Sequence, residues 1–227
     1  MIRSTALCIA VSAMPAMADI YIDQVGDIAT GNSNLDITQV EVTDNGTDLV
    51  VQLTVDALDG DWGKYMLFMD GWAGGSGDND NPWGRDVSGL SGMDIFVGGW
   101  ADGGGGADAY GYVDGSWYQW PIGDWSAGSD PPSTSIDWDN NTIQWTFYDF
   151  VADLSGTMSG FDFEVATTGG GWGDPAIDLL GGEGTQPGWG GGSTSTDRMH
   201  YDFATIPAPG AVALLGLAGL AGRRRRH

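Results

Sequence analysis

The side chains with chemical reach in this 227-residue chain are carboxylates and indoles, 31 Asp and Glu and 11 Trp. The densest set of oxygen donors is Asp78-Asn79-Asp80-Asn81, followed by Gly84 and Asp86. Carboxylate and amide oxygens crowded into one turn suit calcium, a hard cation that collects about six to eight oxygens. The spacing is not that of an EF-hand: Trp83 stands where the turn glycine belongs, and Gly89 stands where the closing Glu belongs. Asp174 and Asp178 form a second candidate metal cluster. Asx-rich loops are also plain turn formers, so calcium ligation and simple turn chemistry both stand at this point.

The tryptophans point to a different chemistry. Trp72, Trp83, Trp100, Trp125, Trp172 and Trp189 lie among glycines, where a large ring has little to pack against unless loops fold over one another. Exposed rings of this kind stack on sugar faces or anchor partners. Trp72, Trp100, Trp125 and Trp172 are the candidate ligand-binding residues, the alternative being rings that plug the ends of the fold. Trp145, inside an alternating apolar stretch, is expected in the core.

Catalytic constellations are sparse. His200 is the sole histidine before the C-terminal residue, and Cys8 is the sole cysteine, so a zinc site of several imidazoles or thiolates has no ligands. No serine sits in G-x-S-x-G, and no glycines complete G-x-G-x-x-G or a P-loop. A glycosidase needs only two carboxylates, but nothing singles out an acid and a nucleophile among 31. A non-catalytic protein is expected, with a carbohydrate-active hydrolase as the third-ranked reading.

The elements that must position these residues read as strands. In residues 48–55, Leu49, Val51, Leu53 and Val55 alternate with Val50, Gln52 and Thr54, and Asn45-Gly46 supplies a tight hairpin turn to residues 36–43. Further strands are expected at 65–70, 93–97, 109–113, 116–120, 142–148, 161–166 and 199–203, with at most a single helical turn at 149–154. About nine strands separated by Gly, Asp, Asn and Pro predict an all-β fold, a single antiparallel β-sandwich. Residues 71–92, 101–108, 121–135 and 167–197 read as long glycine-laden loops, the places where function sits on a rigid sandwich.

Both ends carry addresses. Arg3, the apolar stretch 6–13 and Ala16-Met17-Ala18 form a three-part signal peptide over residues 1–18, with the cut expected before Asp19. Cys8 would leave with that segment, so no disulfide is expected in the mature chain. At the other end, residues 206–222 (IPAPGAVALLGLAGLAG) are continuously apolar and end on Arg223, Arg224, Arg225 and Arg226. That length is at the lower edge for a membrane-spanning helix, and the arginines place its C-terminal end in the cytoplasm. Between the ends, residues 19–205 form the ectodomain. It holds all 31 carboxylates against Lys64, Arg85 and Arg198 alone, a surface that repels nucleic acid and anionic lipid. Its aromatic and β-branched content argues against disorder.

Two resemblances follow. The tail, with Pro207-Ala208-Pro209, the Leu/Gly/Ala run 211–221 and the four arginines, resembles the bacterial PEP-CTERM sorting signal, although Ala208 stands where the name-giving motif has Glu. The resemblance implies an exosortase-type sorting protease as partner and delivery to the cell envelope or extracellular matrix; an ordinary tail anchor shares the apolar run and basic end. The ectodomain, over roughly residues 30–180, resembles the sandwiches related to family 9 carbohydrate-binding modules. It does so through DITQVEVTDNGTDLVVQLTV, the strand Lys64–Asp70, Gly84-Arg85-Asp86, Gly92-Met93-Asp94-Ile95-Phe96-Val97, the Tyr-rich hairpin 110–120 and Gly173-Asp174-Pro175. This second resemblance implies a jelly-roll-like sandwich, often with structural calcium and sometimes with a sugar between aromatic rings, although no clamp pair matches position by position. The expectation is therefore an exported, envelope- or matrix-associated, non-catalytic protein that binds extracellular polysaccharide and is stabilised by calcium. A purely structural surface protein is the alternative.

Overall fold

The computed structural model describes residues 17–120 and 132–204. In chain order its strands begin with β1 (Met17–Ile22), β2 (Ile37–Asp44), β3 (Leu49–Val55), β4 (Lys64–Asp70) and the two-residue β5 (Val87–Ser88). They continue with β6 (Ile95–Trp100), β7 (Gly106–Val113), β8 (Ser116–Gln119), β9 (Ser133–Asp137) and β10 (Thr142–Phe147). After the one-turn helix α1 (Phe150–Leu154) come β11 (Gly160–Thr168), β12 (Ala176–Leu179), the two-residue β13 (Ser193–Thr194) and β14 (Met199–Asp202).

The hairpin expected at Asn45-Gly46 joins β2 to β3, with Thr43 opposite Val50 and Val42 opposite Val51. Gly46 adopts φ +81°, a conformation open to glycine at little cost, and the Asn45 carboxamide oxygen accepts the N–H of Thr47 and of Asp48. Around this hairpin a five-stranded sheet runs in the order β1-β2-β3-β10-β9, and the opposing sheet runs β12-β11-β4-β6-β7-β8, with β14 also on β11. Every pairing inside these two sheets is antiparallel. One apolar core fills the space between them: Val40, Val42, Val51, Leu53, Ile143 and Trp145 from the first sheet meet Tyr65, Leu67, Val97, Phe163 and Val165 from the second. The all-β architecture with two packed antiparallel sheets read from the sequence is what forms.

The second sheet is covered on its other face as well. Met66, Phe68, Phe96 and Ala166 point away from the main core and bury against Val87, Leu90, Met93, Ala176 and Leu179, with Trp83, Tyr110 and Trp117 packed at the margin. Stretches expected as open loops thus form a third layer, tied down where β5 and β13 pair in parallel and where the Asn81 side chain brackets the backbone of Arg85. Gly98 and Gly99 in β6 let an indole approach on each face. A Cβ at Gly98 would lie 2.0 Å from Trp83, and one at Gly99 would lie 2.6 Å from Nε1 of Trp145. Trp145 is fully buried, as expected.

All nine strands expected from the sequence are present; β1, β9, β12 and the two-residue β5 and β13 are additional. The expected cut before Asp19 falls within β1 and leaves Asp19, Ile20, Tyr21 and Ile22 paired with β2. Among the described residues no helix is long and apolar enough to cross a membrane. The expected sorting tail over 206–227, with its apolar helix at 206–222, Pro207, Pro209 and Arg223 to Arg226, lies outside the described residues, as does nearly all of the expected signal peptide.

Candidate functional site

The sheet registers gather one end of the second sheet: Thr168 lies opposite Lys64, Lys64 opposite Trp100, and Trp100 opposite Gly106. Segments leaving these strand ends carry aromatic rings into solvent. Trp62, two residues before β4 starts, is 39% exposed, and Trp189 is 48% exposed. Their ring centroids are 6.1 Å apart, with the planes tilted by 38°. Trp189 belongs to a short 3-10 turn (Gly188–Gly190) and rests on Gly169, where a Cβ would approach its ring to 2.8 Å. Glycine at 169 is thus a seat for an indole. The Asp174 carboxylate accepts the N–H of Gly171 at 2.7 Å and holds this loop turned back on itself.

Polar groups lie close by. Lys64 Nζ pairs with Asp102 at 2.9 Å and donates to the Trp62 carbonyl at 3.2 Å, so the chain segment that carries Trp62 is fixed from below. Asp59 and Asp61, on the same segment, are exposed. Two accessible indole faces flanked by carboxylates and an ammonium offer what a pyranose presents a need for: a flat apolar surface for C–H groups and donors and acceptors for hydroxyls.

The rings singled out in the sequence fall in different settings. Trp172, on the loop after β11, is 83% exposed and lies against Gly84, where a Cβ would sit 2.8 Å from its ring. Trp100 is half-buried over Gly106, and Trp72 is half-buried against the main core, its backbone N–H donating to the Asp94 carboxylate at 2.8 Å. Trp125 lies outside the described residues. Trp62 is the ring that sequence reasoning passed over; its Asp61-Trp62-Gly63 context carries the same glycine-neighbour signal as the others.

Among the expected metal ligands, Asp78, Asp80 and Asp86 are all exposed. Asp78 accepts the N–H of Leu90 at 3.0 Å, Asp86 accepts from the Asn79 side chain at 3.3 Å, and the Asp80 carbonyl accepts from the Trp117 indole at 3.2 Å. Asp174 is engaged with Gly171, as above. Asp178 belongs to a different grouping. Together with Asp23 and Asp27 it forms, among the described residues, a set of three carboxylates whose oxygens lie within 4.8 Å of one another. Asp23 and Asp27 were not legible as ligands, because they are near neither Asp178 nor any glycine-rich loop in sequence.

Burial governs the electrostatics of this region. Asp178 is fully buried in β12 and is pushed up to about 8 by desolvation, with the Ile37 and Leu179 N–H groups and the charges of Asp23 and Asp27 acting on it. Desolvation likewise pushes Asp23 up to about 7 and raises Asp27 and Asp36. Glu164, enclosed on β11, is pushed up to about 7 against hydrogen bonds from Ser195, Gly181 and Val165. Among the described residues, the basic groups are committed elsewhere. Lys64 pairs with Asp102, Arg198 with Asp70, and His200 with Asp162 and Asp202, while Arg85 lies over the Trp83 ring at 5.6 Å. Glu164 and Asp178 are fully buried, whereas Asp59, Asp61 and Asp102, the acids nearest the exposed Trp62 ring in the chain or through Lys64, are at the surface. No protein-family model matches the chain, and no curated protein matches it.

Proposed function

We propose that this is an exported, envelope- or matrix-associated, non-catalytic protein that binds extracellular polysaccharide through Trp62 and Trp189, with Trp172 extending the contact surface. The observation that carries the reading is the exposed, tilted Trp62–Trp189 pair, seated on glycine at the end of a two-layer β fold. Large rings left in solvent cost hydration free energy that a soluble fold normally avoids, and a sugar face covers them without demanding charge neutralisation. The acidity of the ectodomain excludes anionic polymers such as nucleic acid and favours neutral or cationic glycans. Binding rather than hydrolysis is supported by the placement of the acids with raised proton affinity, since Glu164 and Asp178 are fully buried and do not meet a chain docked on the rings.

The export part rests on the signal-peptide pattern at residues 1–18 and on the sorting tail, Pro207-Ala208-Pro209 through Arg226, which would be read by an exosortase-type protease. The jelly-roll-like reading of the sandwich belongs with this proposal. Titrating the purified full-length chain with a panel of neutral and basic polysaccharides while following Trp emission tests the binding claim. A saturable blue shift or quenching that is lost in Trp62→Ala and Trp189→Ala is expected. A panel without response would replace this function by a purely structural surface role.

A further inference from the structure

We propose that Asp23, Asp27 and Asp178 bind one calcium ion that staples the start of the mature chain to the second sheet. The three carboxylates come from separate places: Asp23 and Asp27 follow β1, at the edge of the first sheet, and Asp178 is on β12, at an edge of the second. Their oxygens converge within 4.8 Å. Two oxygens on a single calcium, each about 2.3–2.6 Å from it, stand at most about 5 Å apart, so the observed spacing admits one shared ion.

An independent observation separates this grouping from a merely acidic surface. Asp27 is 6% exposed, and its Oδ1 is enclosed without any hydrogen-bond donor; Oδ2 of Asp23 is enclosed without a donor as well. Orphaned carboxylate oxygens in the interior are rare because each forfeits its hydration, and they imply a missing partner. Protein cations do not fill that role, since none of the ion pairs among the described residues involves Asp23, Asp27, Asp36 or Asp178. The carboxylates are nonetheless aimed by the backbone. Asp178 accepts the N–H of Ile37 at 2.6 Å and of Leu179 at 2.9 Å, Asp23 accepts from Gln24 at 2.8 Å, and Asp36 beside them accepts Gly26 N–H at 2.8 Å. Fixed carboxylate oxygens with no ion pair to a protein cation are the donor set of a hard divalent cation, and softer metals that prefer imidazole or thiolate find neither in this cluster.

The location gives the ion a structural task. With Cys8 as its sole cysteine the chain cannot form an internal disulfide, so the 23–27 segment has no covalent tie to β12. A cation bound only by the folded chain supplies that tie and shifts the folding equilibrium by mass action.

The test is a calcium titration of full-length protein freed of metal with EDTA, by calorimetry and by thermal unfolding. One calcium per chain is expected, with a rise in melting temperature well beyond that produced by sodium chloride at matched ionic strength. Asp27→Asn, which keeps the side-chain shape, should weaken calcium binding at least tenfold and be the more stable protein in EDTA; Asp80→Asn should leave binding unchanged. If Asp27→Asn fails to fold, Asp23→Asn, at a partly open position, serves in its place. Equal stabilisation by the two salts, undiminished calcium binding in these variants, or loss of binding in Asp80→Asn would each overturn the assignment.

Discussion

Replacing Glu164 by Gln should flatten the pH dependence of folding stability, in a direction set by burial. Glu164 accepts N–H groups of Val165 and Gly181, each at 3.0 Å, and the Ser195 hydroxyl at 2.5 Å; it also feels the negative charge of Asp23. Desolvation outweighs these hydrogen bonds and lifts its proton affinity from 4.5 to about 7. The unfolded chain releases this proton near pH 4.5, whereas the folded chain holds it until about 7. Between those values the native state binds more protons than the unfolded state, so stability falls as pH rises and levels off above the folded value. At about 1.4 kcal/mol for each pH unit, that interval amounts to about 3 kcal/mol. A carboxamide keeps the geometry: its oxygen accepts from Val165 and Gly181, its nitrogen donates to Ser195, and no charge is ever buried. Urea unfolding in EDTA between about pH 4.5 and 8.5 should show the two proteins nearly equal at the acid end and Glu164→Gln ahead by up to about 3 kcal/mol at the basic end. A decline remains in the variant, because Asp23 and Asp178 are raised for the same reason, each further than Glu164, so the test reads the difference between the two proteins. A stability difference that stays constant over the range would refute burial as the cause.

Gly98→Ala places a methyl 2.0 Å from the Trp83 ring, so the outer layer must shift; a loss of about 1–3 kcal/mol and a red-shifted Trp emission are expected in urea titrations. Tyr201→Phe removes the hydroxyl that donates to buried Asp44 at 2.8 Å, leaving that oxygen with the N–H of Ala204, and should cost about 1–2 kcal/mol by the same assay. N-terminal sequencing of the protein recovered outside the cytoplasm should begin at Asp19. Deleting Arg223 to Arg226 should impair retention or sorting, whereas an intact Met1 in soluble cytoplasm would contradict export.

Much of the architecture is legible wherever one face of a strand is wet. Phe161-Asp162-Phe163 and Leu49 to Val55 alternate, and both form the strands they predict. The third layer is announced less openly, by the unbroken apolar run Tyr65-Met66-Leu67-Phe68-Met69 in β4, which only a sheet covered on both faces can accommodate. That run explains why residues 71–94 and 176–198 fold back instead of standing free. β9 escaped because Ser133-Thr134-Ser135 is polar on an edge, and β12 because it is four residues long and carries Asp178 in its interior. The site divides similarly. A glycine-flanked indole is visible in sequence, but its seat is a tertiary fact: Trp172 and Trp189 stand in solvent, while Trp72 and Trp83 are drawn onto the sheet. The convergence of Asp23 and Asp27 on Asp178 depends on the pairing of distant segments, which no local spacing encodes.

The most direct test of the central claim is affinity electrophoresis of the full-length chain through gels containing the polysaccharide that gives the strongest emission change. Wild-type protein should be retarded, and Trp189→Ala should migrate as in a sugar-free gel. Losing one stacking ring costs about 1–3 kcal/mol by analogy with base stacking, roughly tenfold or more in affinity. Tyr148→Ala, which removes an exposed ring just past β10, at the opposite end of that strand from the Asn141 turn that holds Leu58, should be retarded like the wild type. Equal retardation of wild type and Trp189→Ala, or loss of retardation in Tyr148→Ala alone, would contradict the assignment of the Trp62–Trp189 face.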